Sequence, residues 1–478
     1  MIESRCVTSN RRVSKDSARH VALQPTVRDA ILLNRPHYMK NIFRKIIVGI
    51  LQAEAKLVLK KYKPHVVAVT GSVGKTSTKD AIYSVLAEIE HVRKSDKSFN
   101  SEIGLPLTIL GCPNAWNNPF RWAQNILDGL FLIFVPSDYP RWLVLEVGAD
   151  KPGDISSLAS WLPVDVAVIT RLPEIPVHVE FFASPDDVVA EKASLISALK
   201  KGGALVIYAD DQHVDMLRQK ANEREATVYT FGLSSAADVR AEDFEVLFEH
   251  EHESNRDARW PIGMQTKLIM GETSTPVSVV GILGTHVLLS VIAAAAVGLA
   301  LKIATPDIVK GLANYEPPKG RMRILRGIKN TFLIDDTYNS SPAAVEAALN
   351  ALPLIKIKGR KIAVLGDMLE LGKHSFNEHK KIGALAAKRA DLLVTVGLRA
   401  RDIAQGALGQ GLPDSAIFQF EDSQKAGDEL RSMIMPDDCI LVKGSQSIRT
   451  EKIVEQLMLE PEKAIDLLVR QETDWKKR

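Results

Sequence analysis

Cysteine is scarce in this chain: Cys6, Cys112 and Cys439 are the only three among 478 residues. Far apart and odd in number, they exclude a disulfide framework and a cysteine metal spacing, and they fit a reducing cytoplasm. Net charge is small as well. A balance of +3 gives no basic footprint for a nucleic-acid partner. Long apolar runs are missing. Residues 46–59 are broken by Gln52, Glu54 and Lys56, and residues 122–135 carry Gln124, Asn125 and Asp128. Neither reaches the ~18 apolar residues of a membrane-spanning helix. Buried or amphipathic helices are expected there, with peripheral contact at a membrane surface as the alternative. The first twenty residues are polar and basic without an apolar core, so no signal peptide is read. No internal repeat or low-complexity tract stands out.

What is present is ordinary for a soluble globular protein: 46% hydrophobic and 25% charged residues, in a chain long enough for two to three domains. One stretch organises the rest. Residues 66–70 form a short β-branched run that ends in glycine, the pattern of a fully buried strand. Ala81, Ile82, Val85 and Leu86 then return at helical spacing. Between them lies Gly71-Ser72-Val73-Gly74-Lys75-Thr76-Ser77. Two glycines let the backbone turn tightly and converge its N–H groups, and the following helix adds its positive end. Lys75 can meet phosphate oxygens, and the Thr76 hydroxyl can bind Mg²⁺. Val69 stands where the longer phosphate-loop spacing has a further glycine, so the motif is a shortened GxxGK[ST]. The bland alternative is a strand-turn-helix with a solvated lysine.

The first 25 residues lack periodicity and read as disordered. A basic helix is expected at 40–61, then α/β alternation with strands at 142–147, 165–170 and 204–209, as in a mostly parallel sheet. Residues 227–283 read as a small antiparallel insertion, and 293–301 as a helix of small residues. Residues 315–321 read as a hinge. A second alternating unit follows, with strands at 331–335, 361–366, 392–397 and 439–443 and helices near 342–352, 377–389, 424–434 and 448–459. The expected fold class is therefore α/β. An N-terminal extension (1–63) precedes a central ATP-binding domain (64–316) and a C-terminal Rossmann-like domain (317–478).

Three further residues join the loop. Glu146 ends a predicted strand, and ligands of open α/β sheets gather at carboxyl ends of strands, where a carboxylate can bind Mg²⁺. His178 follows the strand at 165–170 by a short loop; a lone histidine is more often structural, but this one is placed near the same rim. Lys192 falls in the middle of the apolar face of a predicted helix over 188–199. A buried ammonium is costly, so either the side chain snorkels out or something neutralises it, such as reaction with CO₂ to give a metal-binding carbamate.

The chain resembles the Mur ligases over about residues 64–460. The carrying motifs are TGSVGKTSTK (70–79), FNSEIGLPLT (99–108), LEVGADKPGDI (145–155), HVEFFAS (178–184), EKASLISAL (191–199), GRM (320–322), IDDTYNSSP (334–342), GDMLELG (366–372) and VKGSQSIRTEKIV (442–454). The resemblance implies an ATP-dependent amide ligase of cytoplasmic peptidoglycan precursor synthesis, working through an acyl phosphate. The DDTYN, GDMLELG and KGS motifs point to the branch that adds D-Ala-D-Ala to a UDP-MurNAc-tripeptide-like acceptor. It implies that Gly71, Ser72, Val73, Gly74, Lys75, Thr76, Ser77 and Asn100 border ATP, with Glu102 nearby. Arg321, Asp336, Tyr338 and Asn339 would approach the nucleotide from the linker and the C-terminal domain. Thr76, Glu146, His178 and a carbamylated Lys192 would hold two Mg²⁺ ions, with Lys75, Lys192 and His178 at the chemistry. Lys443 and Ser445 would face the incoming amine. A monomer is the working expectation.

The chain also departs from the family. The H-N-x-x-N motif that faces adenine has Val287 and Ser290 at the asparagine positions, which leaves the base contact open. The KGSR motif has Gln446 in place of its arginine. About 65 residues precede the phosphate loop, where the family carries a uridine-nucleotide domain, so a reduced N-terminal domain is expected. The rival readings are a ligase of the same superfamily with a folylpolyglutamate- or cyanophycin-type acceptor, and a nucleotide-binding scaffold without catalysis.

Overall fold

The computed structural model describes residues 35–96, 99–116, 118–249, 260–472 and 475. The expectation for residues 1–25 falls outside them. The chain divides into two compact units, Met1–Gly49 and Ile50–Arg478. In the first unit, the described residues are the opening turns of a helix, Arg35–Tyr62, somewhat longer than its sequence pattern suggests.

The second unit holds two sheets. The larger contains β1 (His65–Thr70), β2 (Val92–Lys94), β3 (Trp142–Glu146), β4 (Val164–Ile169), β5 (Leu199–Tyr208), β6 (Thr227–Gly232), β7 (Val239–Phe248), β8 (Pro261–Met270) and β9 (Thr273–Val280). Their order is β2-β3-β1-β4-β5-β6-β7-β8-β9. All neighbours are parallel as far as β7; the pairs β7–β8 and β8–β9 are antiparallel. β1 is buried from Val66 onward, which explains its uninterrupted apolar run. In β9, exposed residues alternate with the buried Val277 and Val279, as one face meets the core and the other meets solvent.

The antiparallel stretch expected within residues 227–283 is β7–β9, and it is continuous with the parallel sheet. β6 pairs in parallel with β5, and the hairpins after it extend the same sheet, because Val277, Val279, Met264 and Leu268 share the core of the parallel strands. The small-residue helix also starts earlier than expected, running Thr285–Ala300. Its Ala293–Ala296 segment is fully buried, and it packs on the helix Lys75–Ala87 that follows the phosphate loop.

The smaller sheet contains β10 (Arg323–Arg326), β11 (Phe332–Asp336), β12 (Lys361–Gly366), β13 (Leu392–Val396), β14 (Ile417–Phe420) and β15 (Cys439–Lys443), in the order β10-β11-β15-β12-β13-β14. All but β10 are parallel. The short β10 and β14 have no counterpart in the sequence reading. Backbone bonds from Leu283 to Met322 and from Ile324 to Gly281 tie the larger sheet to the first residues of the smaller one, just after the 315–321 stretch.

Two helices differ from expectation. The one predicted at 188–199 is an α-helix over Pro185–Ala193 followed by a 3₁₀ turn, Ser194–Ala198, and Leu199 already begins β5. The Ser194 and Ser197 hydroxyls bond back to carbonyls three residues earlier, which favours the tighter turn. The one predicted at 448–459 is a 3₁₀ turn, Gln446–Ile448, and an α-helix, Glu451–Leu457. Arg449 separates them at φ 63°, a left-handed conformation that no helix continues.

Candidate active site

β1 lies between β3 and β4 in the larger sheet, and the chain leaves it toward opposite sides. The crevice at such a switch point is where open α/β sheets bind ligands. The loop after β1 sits there. Gly71 has φ 134°, and a Cβ on it would lie 2.0 Å from Thr170 Oγ1, so no side chain fits. Gly74, at φ 87°, caps the helix that begins with Lys75. Lys75 Nζ folds back and donates to Gly71 O at 2.9 Å, across the space a phosphate would fill. Burial lowers the Lys75 pKa; the carboxylates of Glu146 and Asp150 oppose that effect and the Arg321 guanidinium adds to it. Arg321, from the linker, therefore already faces the loop. Thr76 and Ser72 are partly buried beside Lys75, whereas Ser77 is buried within the first helical turn.

Glu146 is the partner of Val69 in the strand register, which sets it beside the loop. Its side chain is buried. Asn100 Nδ2 donates to Oε1 at 3.5 Å, and Oε2 has no hydrogen-bond partner. A buried carboxylate oxygen without a donor calls for a cation. Thr76 and Glu146 thus have the right chemistry for Mg²⁺ once phosphate oxygens complete the shell. Among the described residues no cluster of three or more His, Cys, Asp or Glu forms a ready-made metal cage. Glu102 is exposed.

His178 stands at φ 70° before a 3₁₀ turn, Val179–Phe181. Its Nδ1 lies 2.5 Å from Glu370 Oε2 and its Nε2 lies 3.8 Å from Asp150 Oδ1. Glu370 comes from the loop after β12, so this pair joins the rims of the two sheets, as does the bond from Glu180 N to Glu370 O. The close contact with His178 holds the Glu370 carboxyl below its usual pKa.

Lys192 is 1% exposed, and among the described residues no carboxylate lies within salt-bridge reach of it. Burial, then the nearby Lys75 charge, lowers its pKa to about 7, against the pull of Asp150 and Glu191. Glu191 is used elsewhere. Its carboxylate accepts from the N–H groups of Gly153, Ile155 and Ser156 and so caps the helix Asp154–Ala159. That contact fixes the helix carrying Lys192.

From the smaller sheet, Asp336 and Lys443 end β11 and β15, and Lys443 also donates to Asn339 O at 2.9 Å. The Arg321 guanidinium lies 4.1 Å from the centre of the Tyr338 ring. Ser445 Oγ accepts from Leu369 N, which fastens the GDMLELG loop to the KGS loop. Between the sheets opens a cleft of about 700 Å³ whose lining includes Asp150, His178, Asn339, Glu370, Ser445 and Arg449. A small recess behind the phosphate loop is lined by Gly74, Arg171, Tyr208, His286 and Ser290. There burial pushes His286 down to about 4.

Asp150, Glu370 and Arg449 were not singled out from sequence. Asp150 and Glu370 stand inside quoted motifs as acids just past strand ends, and that position was the available signal. Arg449 also stands inside a quoted motif, 442–454, but its place in the cleft depends on a left-handed backbone that the motif does not announce.

Residues 69–120 and 127–298 match the Mur ligase middle domain, and residues 320–446 match the Mur ligase glutamate ligase domain. The UDP-N-acetylmuramoyl-tripeptide–D-alanyl-D-alanine ligase of Bacillus subtilis is 29% identical over 412 residues, 86% of this chain and 79% of that protein. The crystal structure of MurF ligase from Thermotoga maritima in complex with ADP superposes with a TM-score of 0.69 at 27% identity, covering 87% of this chain and 84% of that one. MurF from Acinetobacter baumannii gives a TM-score of 0.70 at 25% identity, covering 85% and 79%. Sheet order, phosphate loop and two matched domains converge: this chain belongs to the Mur ligase family.

Proposed function

We propose that this enzyme is an ATP-dependent peptide ligase that joins D-alanyl-D-alanine to a UDP-N-acetylmuramoyl-tripeptide in peptidoglycan precursor synthesis. The observation that carries this reading is the phosphate loop with Glu146 beside it on the larger sheet, together with a cleft lined by Asp150 and His178 from that side and by Asn339, Glu370, Ser445 and Arg449 from the other. The likeness to ligases of that name over most of their length supports the choice of substrates.

In the first step a carboxylate oxygen of the acceptor attacks the γ-phosphorus of ATP, the bond to the β-bridging oxygen breaks, and ADP leaves. The loop N–H groups hold the phosphates. Lys75, released from Gly71 O, and Arg321 balance the charge spread over the transferring group. Thr76 and Glu146 would hold Mg²⁺, which neutralises phosphate charge when bound. In the second step the dipeptide amine attacks the carbonyl carbon of the acyl phosphate and phosphate leaves. We place that dipeptide in the cleft beside Ser445 and Arg449.

Lys192 is proposed to be carbamylated: its neutral amine adds to the carbon of CO₂, a proton leaves, and the buried cation becomes an anion. His178 is proposed to offer Nε2 to a second metal while Glu370 orients the ring from Nδ1, a common arrangement around metal-binding histidines. We further assign residues 64–316 and 317–478 to separate lobes that close over the substrates, with 315–321 as the hinge, and we place the reaction in the cytoplasm.

Quantifying ADP release with a panel of acceptors tests the reading. Release should require the muramyl tripeptide and D-Ala-D-Ala together and should match amide product by mass. Turnover with a folyl or polypeptide acceptor, and none with the muramyl tripeptide, would overturn it.

A further inference from the structure

The helix Pro119–Phe134 buries one side and exposes an apolar face on the other. Trp122, Asn125 and Gly129 are buried against the body of the protein. On the other side Phe120 is 85% exposed, Phe134 78%, Leu127 63% and Phe131 57%, with Leu130 beside them. At 100° per residue these five span an arc of only ~100°, the width of a face that normally packs on something. Trp116, on the turn leading into the helix, is also exposed. A contiguous apolar surface of this kind on a soluble protein marks an interaction site.

The charges around it indicate the partner. Lys61 Nζ donates to the carbonyls of Leu132 and Val135 at 2.8 and 2.7 Å, which sets it at the helix C-terminus beside Phe134. Lys60 and Lys63, both exposed, flank Lys61 in the chain. Arg121 stands at the opposite end of the helix, and the helix's single acid, Asp128, lies outside the arc. Aromatic and leucine side chains on one face, with basic residues at its border, are the composition of an interfacial helix. Among the described residues no helix is long and apolar enough to cross a membrane, so the helix would lie on the surface and not span it. We propose that the Pro119–Phe134 face docks the enzyme on an anionic phospholipid surface, with Phe120, Leu127, Phe131 and Phe134 entering the headgroup boundary and Lys60, Lys61 and Lys63 meeting lipid phosphates.

Co-sedimentation of the full chain with phosphatidylcholine vesicles, with and without phosphatidylglycerol, tests this. The protein should pellet with the anionic vesicles and be released by high salt. Phe131→Glu and Phe134→Glu should each lower partitioning about tenfold or more, and Lys60→Glu and Lys63→Glu about fivefold. All four should release ADP normally in vesicle-free solution. Binding that survives Phe131→Glu would place the contact on another surface and overturn the proposal. So would a wild-type chain that stays in the supernatant at every lipid composition. A wild-type dimer in sedimentation equilibrium that Phe131→Glu converts to monomer would assign the face to a second copy instead.

Discussion

Lys443 Nζ donates to Asp336 Oδ2 at 2.6 Å, and both side chains are buried. Their motifs are 107 residues apart in sequence, yet the parallel register of β11 and β15 makes them direct neighbours. Burial lowers the Lys443 pKa, and the Asp336 charge opposes the change. Removing one partner leaves the other charge without compensation. Asp336→Asn should therefore destabilise the protein by up to about 3–5 kcal/mol, and the double change Asp336→Asn/Lys443→Met should recover most of that. Urea unfolding of Asp336→Asn, Lys443→Met and the double variant measures it; independent, additive losses would mean that the pair is not coupled.

Among the described residues, Lys75 Nζ makes its hydrogen bond to the Gly71 carbonyl. Lys75→Ala should abolish ADP release and leave the melting temperature within a few degrees of wild type, since little packing is lost. Normal turnover by the variant would remove the loop from the mechanism.

Lys192→Ala should lose most activity, and added acetate should restore part of it by placing a carboxylate in the vacated space. Activity of the intact enzyme should also fall when CO₂ is stripped at mildly alkaline pH and return with bicarbonate. Full activity of Lys192→Ala would refute the carbamate. Loss without rescue would make the lysine a cation near the phosphates.

Glu54 is buried beneath Gly129 with both carboxyl oxygens unpartnered, and burial raises its pKa from 4.5 to about 7. The folded state therefore holds this proton more tightly than the unfolded chain. Its contribution is fully present below pH 4.5, declines as pH rises toward about 7, and is absent above that. Glu54→Gln should stabilise the protein at pH 8 by up to about 2–3 kcal/mol and have little effect near pH 4.5. Equal effects at both pH values would show that the carboxyl is solvated.

Much of this architecture is legible in the chain because a sheet buried on both faces is written as continuous apolar runs: β1, β3, β12 and β15 all read that way. The strands missed are brief and mixed, such as Arg323-Ile324-Leu325-Arg326, where pairing and not composition makes the strand. Lys192 was placed correctly on a buried face although its helix ends earlier than predicted, because one turn of apolar spacing suffices to orient it. Glu370 and Arg449 escaped because their roles depend on left-handed backbone and on loops brought together from separate strands. For helix Pro119–Phe134 the composition left buried, amphipathic and interfacial readings open, and the structure leaves Phe120, Leu127, Phe131 and Phe134 exposed.

The order of the smaller sheet bears on how the enzyme is made. β15 lies between β11 and β12, though it is the last strand to be synthesised. Until residue 443 has left the ribosome, β11 and β12 present two bare apolar edges with no neighbour to share, the kind of exposed edge that invites aggregation. A message cut short before β15, Cys439–Lys443, leaves the smaller sheet open between β11 and β12. Lys443 ends the strand that closes the sheet and Ser445 follows it by two residues, so the sheet and the residues proposed to face the amine are completed together.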